Sequence, residues 1–329
     1  MATASWHRIV VIRTDRLGET LLTMPAAAAL HDALPQARIS LLVQPDLKPL
    51  LAEVPWLDEV LADDPGRSGS WWQEALRLRR LLAPRRFDLA VVANSKKASH
   101  AAVWLAGIPT RVGYDRKWGR LLTHRVPDRK SLGGRHEVEY NLDLITALGV
   151  PAPIRHWRLP CSGSAQAEVL QLLEHQGVKA SDQFVAVHPW TSNPRKQWPA
   201  DRYQQLIGRL SQRLPVAVIG GPDEQRHASS VLPAPMRGVL NLVGRLSLPQ
   251  LAALLERARL LVSNDSGPVH LASAVNAKTV VLFGSSDPST GPGRWGPWGA
   301  GHTVICKPSV EMITFEEVMA AVEEELSGR

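Results

Sequence analysis

The chain has 329 residues and a formal net charge of +7, with 44% hydrophobic and 21% charged residues. That length exceeds what one small core needs and suits two domains of roughly 150 residues each, and the composition excludes a disordered chain. With only Cys161 and Cys306 there is no disulfide framework or Cys-rich metal site, and no apolar run reaches the roughly 20 residues that span a bilayer.

The N-terminal MATASWHRIVVIR runs straight into strand-like residues without a secretory leader, so the expectation is a cytoplasmic protein. Apolar runs at 8–13, 38–43, 59–62, 88–93 and 110–113 predict strands, and helical patterns fall at 21–33, 71–82 and 100–106. The first strand–helix turn, RTDRLGETLLTMP, holds one Gly and is not the dinucleotide fingerprint, which disfavours a nicotinamide enzyme. It does carry Asp15 and Glu19. Either carboxylate could act as a general base on a hydroxyl brought within about 3 Å. Either could equally serve only to cap the helix.

Basic residues then gather. Arg111, Arg116, Lys117, Arg120, Arg125, Arg129, Lys130 and Arg135 stand against Asp115 and Asp128, and a second cluster runs from 77 to 86. A basic N-terminal half points to an acidic partner (a phosphorylated acceptor, an anionic membrane surface or nucleic acid) or to a merely solvated face. No zinc-finger spacing or aromatic RNA-binding motif supports nucleic acid.

After a helical pattern at 137–148 the composition turns irregular in VPAPIRHWRLPCSGS, which marks a linker between domains at 1–155 and 156–329. The alternation restarts with strands at 184–188, 216–220 and 239–242 and helices at 202–214, after Pro222, and at 248–257. Two such arrays predict an α/β protein with two doubly wound, Rossmann-like sheets facing each other across a cleft. In HPWTSNPRKQWPADRY, Lys196 sits in a polar strand–helix loop and is a candidate phosphate ligand, able to offset a diphosphate as a point charge. Solvated surface is the alternative for any single Lys. In GGPDEQRH, Glu224 is a candidate for ribose hydroxyls, or an exposed acid at a helix start.

The segment 263–288, SNDSGPVHLASAVNAKTVVLFGSSDP, carries the strongest signal. An apolar strand ends in Asn264, Asp265, Ser266 and Gly267, and Pro268 suits a first helical position because it has no N–H to leave unpaired. The helix that follows, with His270 in its first turn, offers amides and a dipole to an anion. An ordinary capped loop is the alternative reading. A last helix opens with Thr314 and Glu317 in capping-box spacing, and it is expected to return to the first domain.

Taken together, IVVIRTDRLGETLLTMPAAAAL, FDLAVVANSKKASHAAVWLAGIPTRVGYDR, RKQWPADRY, GGPDEQ and SNDSGPVHLASA…VVLFGSSDPSTGP resemble the ADP-heptose lipopolysaccharide heptosyltransferases. These are the family 9 glycosyltransferases of the GT-B fold, and the NSKKASHAAVWLAGIPTRVGYD stretch is similar to the heptosyltransferase II branch. The resemblance spans nearly the whole chain. It implies an acceptor-binding first domain and a second domain that binds the nucleotide sugar, with no cofactor beyond the ADP-heptose donor. It also implies that Asp265, Ser266, Gly267 and His270 hold the diphosphate, that Lys196 is the phosphate-binding Lys, and that Glu224 contacts ribose.

The family's proposed general base is an Asp directly after the first-turn Gly, and here that position holds Glu19. The extra methylene shifts the carboxylate by about 1 Å, and a misplacement of that order can cost about 100-fold in rate. Trp190 also departs from the small residue usual after His-Pro, and is expected to narrow the donor pocket. Asp15, Lys96, Lys97, Arg116 and Arg120 are candidate contacts to the anionic inner core of a glycolipid acceptor, which implies peripheral contact with the inner membrane. No clustered Asp/His ligand set marks a metal site, so inverting, metal-independent transfer is expected. Three other readings fit the same turns: a transferase of another nucleotide sugar, a non-catalytic binding homologue, and an epimerase that needs no acceptor.

Overall fold

The computed structural model describes residues 6–63, 69–232 and 234–328; the first five residues of the N-terminal segment lie outside these. The chain divides into two compact units, Met1–Trp157 and Arg158–Arg329.

In the first unit, strands β1 (Arg8–Ile12), β2 (Arg38–Val43), β3 (Leu57–Ala62), β4 (Leu89–Val92), β5 (Thr110–Tyr114) and β6 (His124–Val126) form one sheet. The order is β3-β2-β1-β4-β5-β6 and every pairing is parallel. The central strands are near-continuous Val, Ile and Leu because helices cover both faces of such a sheet. The helices are α1 (Leu17–Leu21), α2 (Met24–Ala33), α3 (Lys48–Leu51), α4 (Trp71–Leu82), α5 (Lys97–Leu105) and α6 (Glu137–Thr146). The helix expected at 21–33 is thus two helices. Pro25 lacks the N–H that would bond the Leu21 carbonyl, so the chain breaks after Leu21 and restarts at Met24.

The second unit begins with α7 (Gly163–His175), capped by the Ser162 hydroxyl, which accepts from the Ala165 amide at 3.2 Å. The linker reading ran into the start of this helix. Strands β7 (Val185–His188), β8 (Val216–Val218), β9 (Val239–Asn241), β10 (Leu260–Asn264), β11 (Thr279–Phe283) and β12 (His302–Cys306) pair in the order β12-β11-β10-β7-β8-β9. Read from β9, this is the same winding as the first sheet. Helices α8 (Ala200–Ser211), α9 (Leu248–Arg257), α10 (Gly267–Ala274), α11 (Pro292–Trp295) and α12 (Phe315–Ser327) complete the unit. After Pro222 the chain forms a 3-10 helix, Glu224–Ser230, in place of the expected α-helix.

The predicted capping box of α12 is present: the Thr314 hydroxyl accepts from the Glu317 amide, and the Glu317 carboxylate accepts from the Thr314 amide. Val318, Met319, Ala321 and Val322 are buried in the second unit's core with Val262, Val280 and Leu282.

In both sheets the strand order reverses at one point, between β1 and β4 and between β7 and β10. Ligands of doubly wound folds bind at the carboxyl ends of the strands beside such a switch point. The candidate residues collect at these two places.

Candidate active site

At the β7/β10 switch point, β7 ends in His188 and β10 ends in Ser263 and Asn264, all buried. The Asn264 side chain fixes the loop after β7 at both ends. Its Oδ1 accepts from the Trp198 amide at 2.9 Å, and its Nδ2 donates to the Pro189 carbonyl at 2.9 Å. Trp198 is fully buried, edge-on to Tyr203, and its indole N–H bonds the Ile313 carbonyl at 2.8 Å. The loop carrying Lys196 is therefore anchored two residues past the lysine.

Lys196 Nζ meets Asp265 Oδ2 at 2.5 Å. Burial pushes the Asp265 carboxyl up from its ordinary pKa, and the Lys196 ammonium pulls the other way without winning. Asp265 thus holds the Lys196 ammonium at the end of β10.

Ser266 is the N-cap residue of α10, but its hydroxyl does not cap the helix. It lies 3.1 Å from His188 Nδ1 and 2.9 Å from the Ser263 hydroxyl. Burial lowers the His188 pKa to about 4, so the imidazole is neutral near pH 7. His188 Nε2 stands 4.0 Å from Glu224, whose other oxygen accepts from the Gly221 amide. With the hydroxyl diverted, Pro268 lacking an N–H and the Val269 amide bonded to the Ser266 carbonyl at 3.1 Å, the Gly267 amide is left to meet an anion. His270 lies buried one turn in.

At the β1/β4 switch point the same chemistry is arranged differently. Arg13 is buried; its Nε lies 3.1 Å from Asp15, and its Nη1 lies 3.5 Å from Glu137 and donates to the Ala93 carbonyl at 3.0 Å. Lys96 Nζ lies 3.4 Å from Asp15 and bonds the Thr14 carbonyl at 2.8 Å. Asn94 donates to the Thr14 hydroxyl at 2.8 Å. Behind them Lys130 bonds the buried Glu137 at 2.5 Å and sits 4.2 Å from the Tyr114 ring centre. Glu19 lies half-buried in the first turn of α1, and among the described residues no hydrogen bond or ion pair holds its carboxylate.

Residues 75–322 match the model of glycosyltransferase family 9 (heptosyltransferase). The chain belongs to that family. It is 27% identical over 293 residues to lipopolysaccharide heptosyltransferase 3 of Escherichia coli, covering 85% of this chain and 83% of that protein. A family 9 glycosyl transferase structure from Veillonella parvula superposes with a TM-score of 0.89 at 22% identity, covering 98% of each chain. The structure of E. coli ADP-heptose lipopolysaccharide heptosyltransferase II superposes at 0.82 with 24% identity, covering 98% of this chain and 99% of that one. The family and the doubly wound α/β architecture expected from the sequence are thus established.

Within this family 9 chain the structure brings Lys196 to Asp265, Ser266 to His188, and Lys96 to Asp15. Lys97 is exposed at the first position of α5, and Arg120 is exposed on the 3-10 turn Gly119–Leu121. Arg116 is exposed and spans 3.4 Å to Asp128. The basic stretch is less free than its composition suggested: Arg111 bonds the Leu121 carbonyl, Arg135 bonds Asp143, and Lys130 is turned inward to Glu137. Trp190 corrects the expectation of a pocket wall. It is buried in the second core, where a Cβ on Gly220 would come within 3.0 Å of its ring. The close approach of Gly220 makes room for the indole beneath the loop.

The sequence reading missed His188, Ser263 and Asn264 in one unit and Arg13, Thr14, Asn94 and Glu137 in the other. Six of these lie within or just after the strands flanking a switch point, which is the signal that could have found them. Glu137, at the start of α6, offered none.

Proposed function

We propose that this protein transfers a heptose from ADP-heptose to an anionic lipopolysaccharide inner-core acceptor, with inversion at the anomeric carbon. The reading rests above all on the Lys196–Asp265 pair set beside the Gly267 amide at the β7/β10 switch point. The names of similar proteins, heptosyltransferase 3 and ADP-heptose heptosyltransferase II, supply the sugar and the nucleotide.

In this scheme the second unit holds the donor and the first the acceptor. The Glu19 carboxylate takes the proton of an acceptor hydroxyl as that oxygen bonds the anomeric carbon. The bond from that carbon to the diphosphate oxygen breaks, and ADP leaves with the electron pair. Lys196 exchanges Asp265 for the departing diphosphate, whose charge grows in the transition state, and the Gly267 amide and helix dipole add to it. Glu224 takes the ribose hydroxyls, and His270 supports the turn. Because a fixed cation carries this role, transfer proceeds without a metal and without a cofactor. Lys96, Lys97, Arg116 and Arg120 serve the acceptor's phosphates and carboxylates, and Asp15 holds Lys96 in place. The enzyme works in the cytoplasm, peripherally on the inner membrane where such a glycolipid lies; among the described residues no helix is long and apolar enough to cross a membrane.

The decisive experiment incubates purified protein with ADP-heptose and inner-core acceptors and identifies the product by mass. A product heavier by one heptose with an inverted linkage is expected. No product with any inner-core acceptor, or stronger thermal stabilisation by UDP or GDP than by ADP, would sink the assignment.

A further inference from the structure

Helix α4 shows two faces. Ala75, Leu78 and Leu82 recur at helical spacing and are buried against α5 and the first sheet. Trp72, Leu76, Arg79 and Arg80 recur on the opposite face and are exposed. Trp72 is 51% and Leu76 38% exposed, and Trp71, at the start of the helix, is 40% exposed. The neighbouring α5 is buried along most of its length and then ends in Trp104 and Leu105, 53% and 39% exposed.

These residues form one surface. Arg79 Nε donates to the Leu105 carbonyl at 3.1 Å, which joins the polar side of α4 to the end of α5. Trp71 packs edge-on against Trp118 at 4.5 Å between ring centres, which joins the start of α4 to the β5–β6 loop. Five large apolar side chains, three of them Trp, thus lie exposed on two packed helices. The other exposed large apolar side chains among the described residues, Leu132, Ile154, Val304 and Met312, lie on neither helix.

The charge around this patch is mostly basic, with Glu74 on α4 and Asp115 beside Arg116 as its acids. Arg79 and Arg80 lie on the exposed face of α4, Lys97 opens α5, and Arg116, Lys117 and Arg120 flank Trp118, all exposed. Lys117 is close enough to α5 to depress the pKa of the buried His100. Arg80, Lys97, Lys117 and Arg120 have no carboxylate partner among the described residues.

We infer that the exposed face of α4 and the end of α5 form a docking surface for an anionic lipid bilayer, with Trp72 and Trp104 inserted at the headgroup level and the surrounding Arg and Lys set against lipid phosphates. Indole rings favour the membrane–water interface because one edge is apolar and the other donates a hydrogen bond. Cations beside them add attraction to anionic headgroups, and the two together discriminate a charged bilayer from a neutral one. A protein partner would require no such coincidence of exposed Trp and a basic excess. The idea builds on the reading of a lipid-borne acceptor, but it is testable without acceptor or donor, so the two can fail separately.

The test is co-sedimentation of the full-length protein with vesicles of phosphatidylcholine alone, or with about one-third phosphatidylglycerol, at about 0.1 and about 0.5 M salt. The protein should partition onto the anionic vesicles at low salt and leave them at high salt. The double variant Trp72→Ser, Trp104→Ser should bind at least about tenfold more weakly with an unchanged Tm, because both side chains are exposed. Arg80→Glu with Lys117→Glu should lower binding to anionic vesicles and remove its salt dependence. Absence of binding by the wild type, or undiminished binding by the Trp variant, overturns the proposal. So does a concentration-dependent dimer that the Trp variant abolishes while no vesicle binding occurs, since the face then belongs to a second copy of the chain.

Discussion

At the β7/β10 switch point one ammonium meets one carboxylate, Lys196 to Asp265, and a neutral His188 orders the hydroxyls beside them. At the β1/β4 switch point Arg13 and Lys96 bracket Asp15, while Glu19 on the same turn is held by neither. Both start from a strand end, a polar turn and a helix start. The second unit pairs its one cation with one carboxylate and leaves the Gly267 amide unbonded beside them. The first spends its cations on internal carboxylates and leaves a carboxylate unengaged. A group that removes a proton must not already be bound to a cation, because an ion pair stabilises the charged form and weakens the base. By that criterion the proposed scheme assigns the proton transfer to Glu19 and leaves Asp15 as part of the frame.

The largest expected effect tests that distinction. Glu19→Gln should lower kcat by about 10²–10⁴ with little change in Tm, the range general-base removal produces. Asp15→Asn should act chiefly on stability. If steady-state rates show the reverse order, the two carboxylates have been assigned the wrong way round.

Next, Lys196→Ala should reduce kcat by about 10²–10³, the loss usual when one preorganised charge-stabilising group is removed. Equal kcat in wild type and variant would leave the ammonium as surface only. Smaller again is the loop anchor. Asn264→Ala leaves the Trp198 amide and the Pro189 carbonyl buried without their partner, at about 1–3 kcal/mol for each orphaned group. Urea unfolding should show that loss together with a raised KM for the donor, and an unchanged midpoint would remove Asn264 from the anchor.

The gentlest probe is pH. The His188 and His100 pKa values are lowered by burial from 6.5 to about 4. Between those values the unfolded chain binds protons that the native protein refuses. Stability is therefore complete above about pH 6.5 and falls as pH drops toward 4, by up to about 1.4 kcal/mol per pH unit for each group. His188→Gln should flatten part of that slope, and an unaltered slope would show that His188 is not held neutral.

Much of this was legible beforehand. The polar turn at Asp265–Gly267 was readable because a polar turn between an apolar strand and a Pro-started helix is a local pattern. Lys196 and Glu19 stand out as candidates from their turns alone. Trp190 misled because residue size says nothing about which side of a loop a ring occupies; the space opened by Gly220 placed it in the core. The basic stretch misled for a related reason, since composition counts charges without showing which are already paired inside the fold.

The sequence alone determined the two doubly wound sheets, the helix starts and the turn chemistry, because periodicity and capping act over a few residues. Tertiary structure decided which partner each charge takes. Lys196 and Asp265 are 69 residues apart, and Arg13 and Glu137 are 124 apart. Only the parallel winding of the strands brings such pairs to one switch point, and whether a charge is engaged or available follows from that meeting.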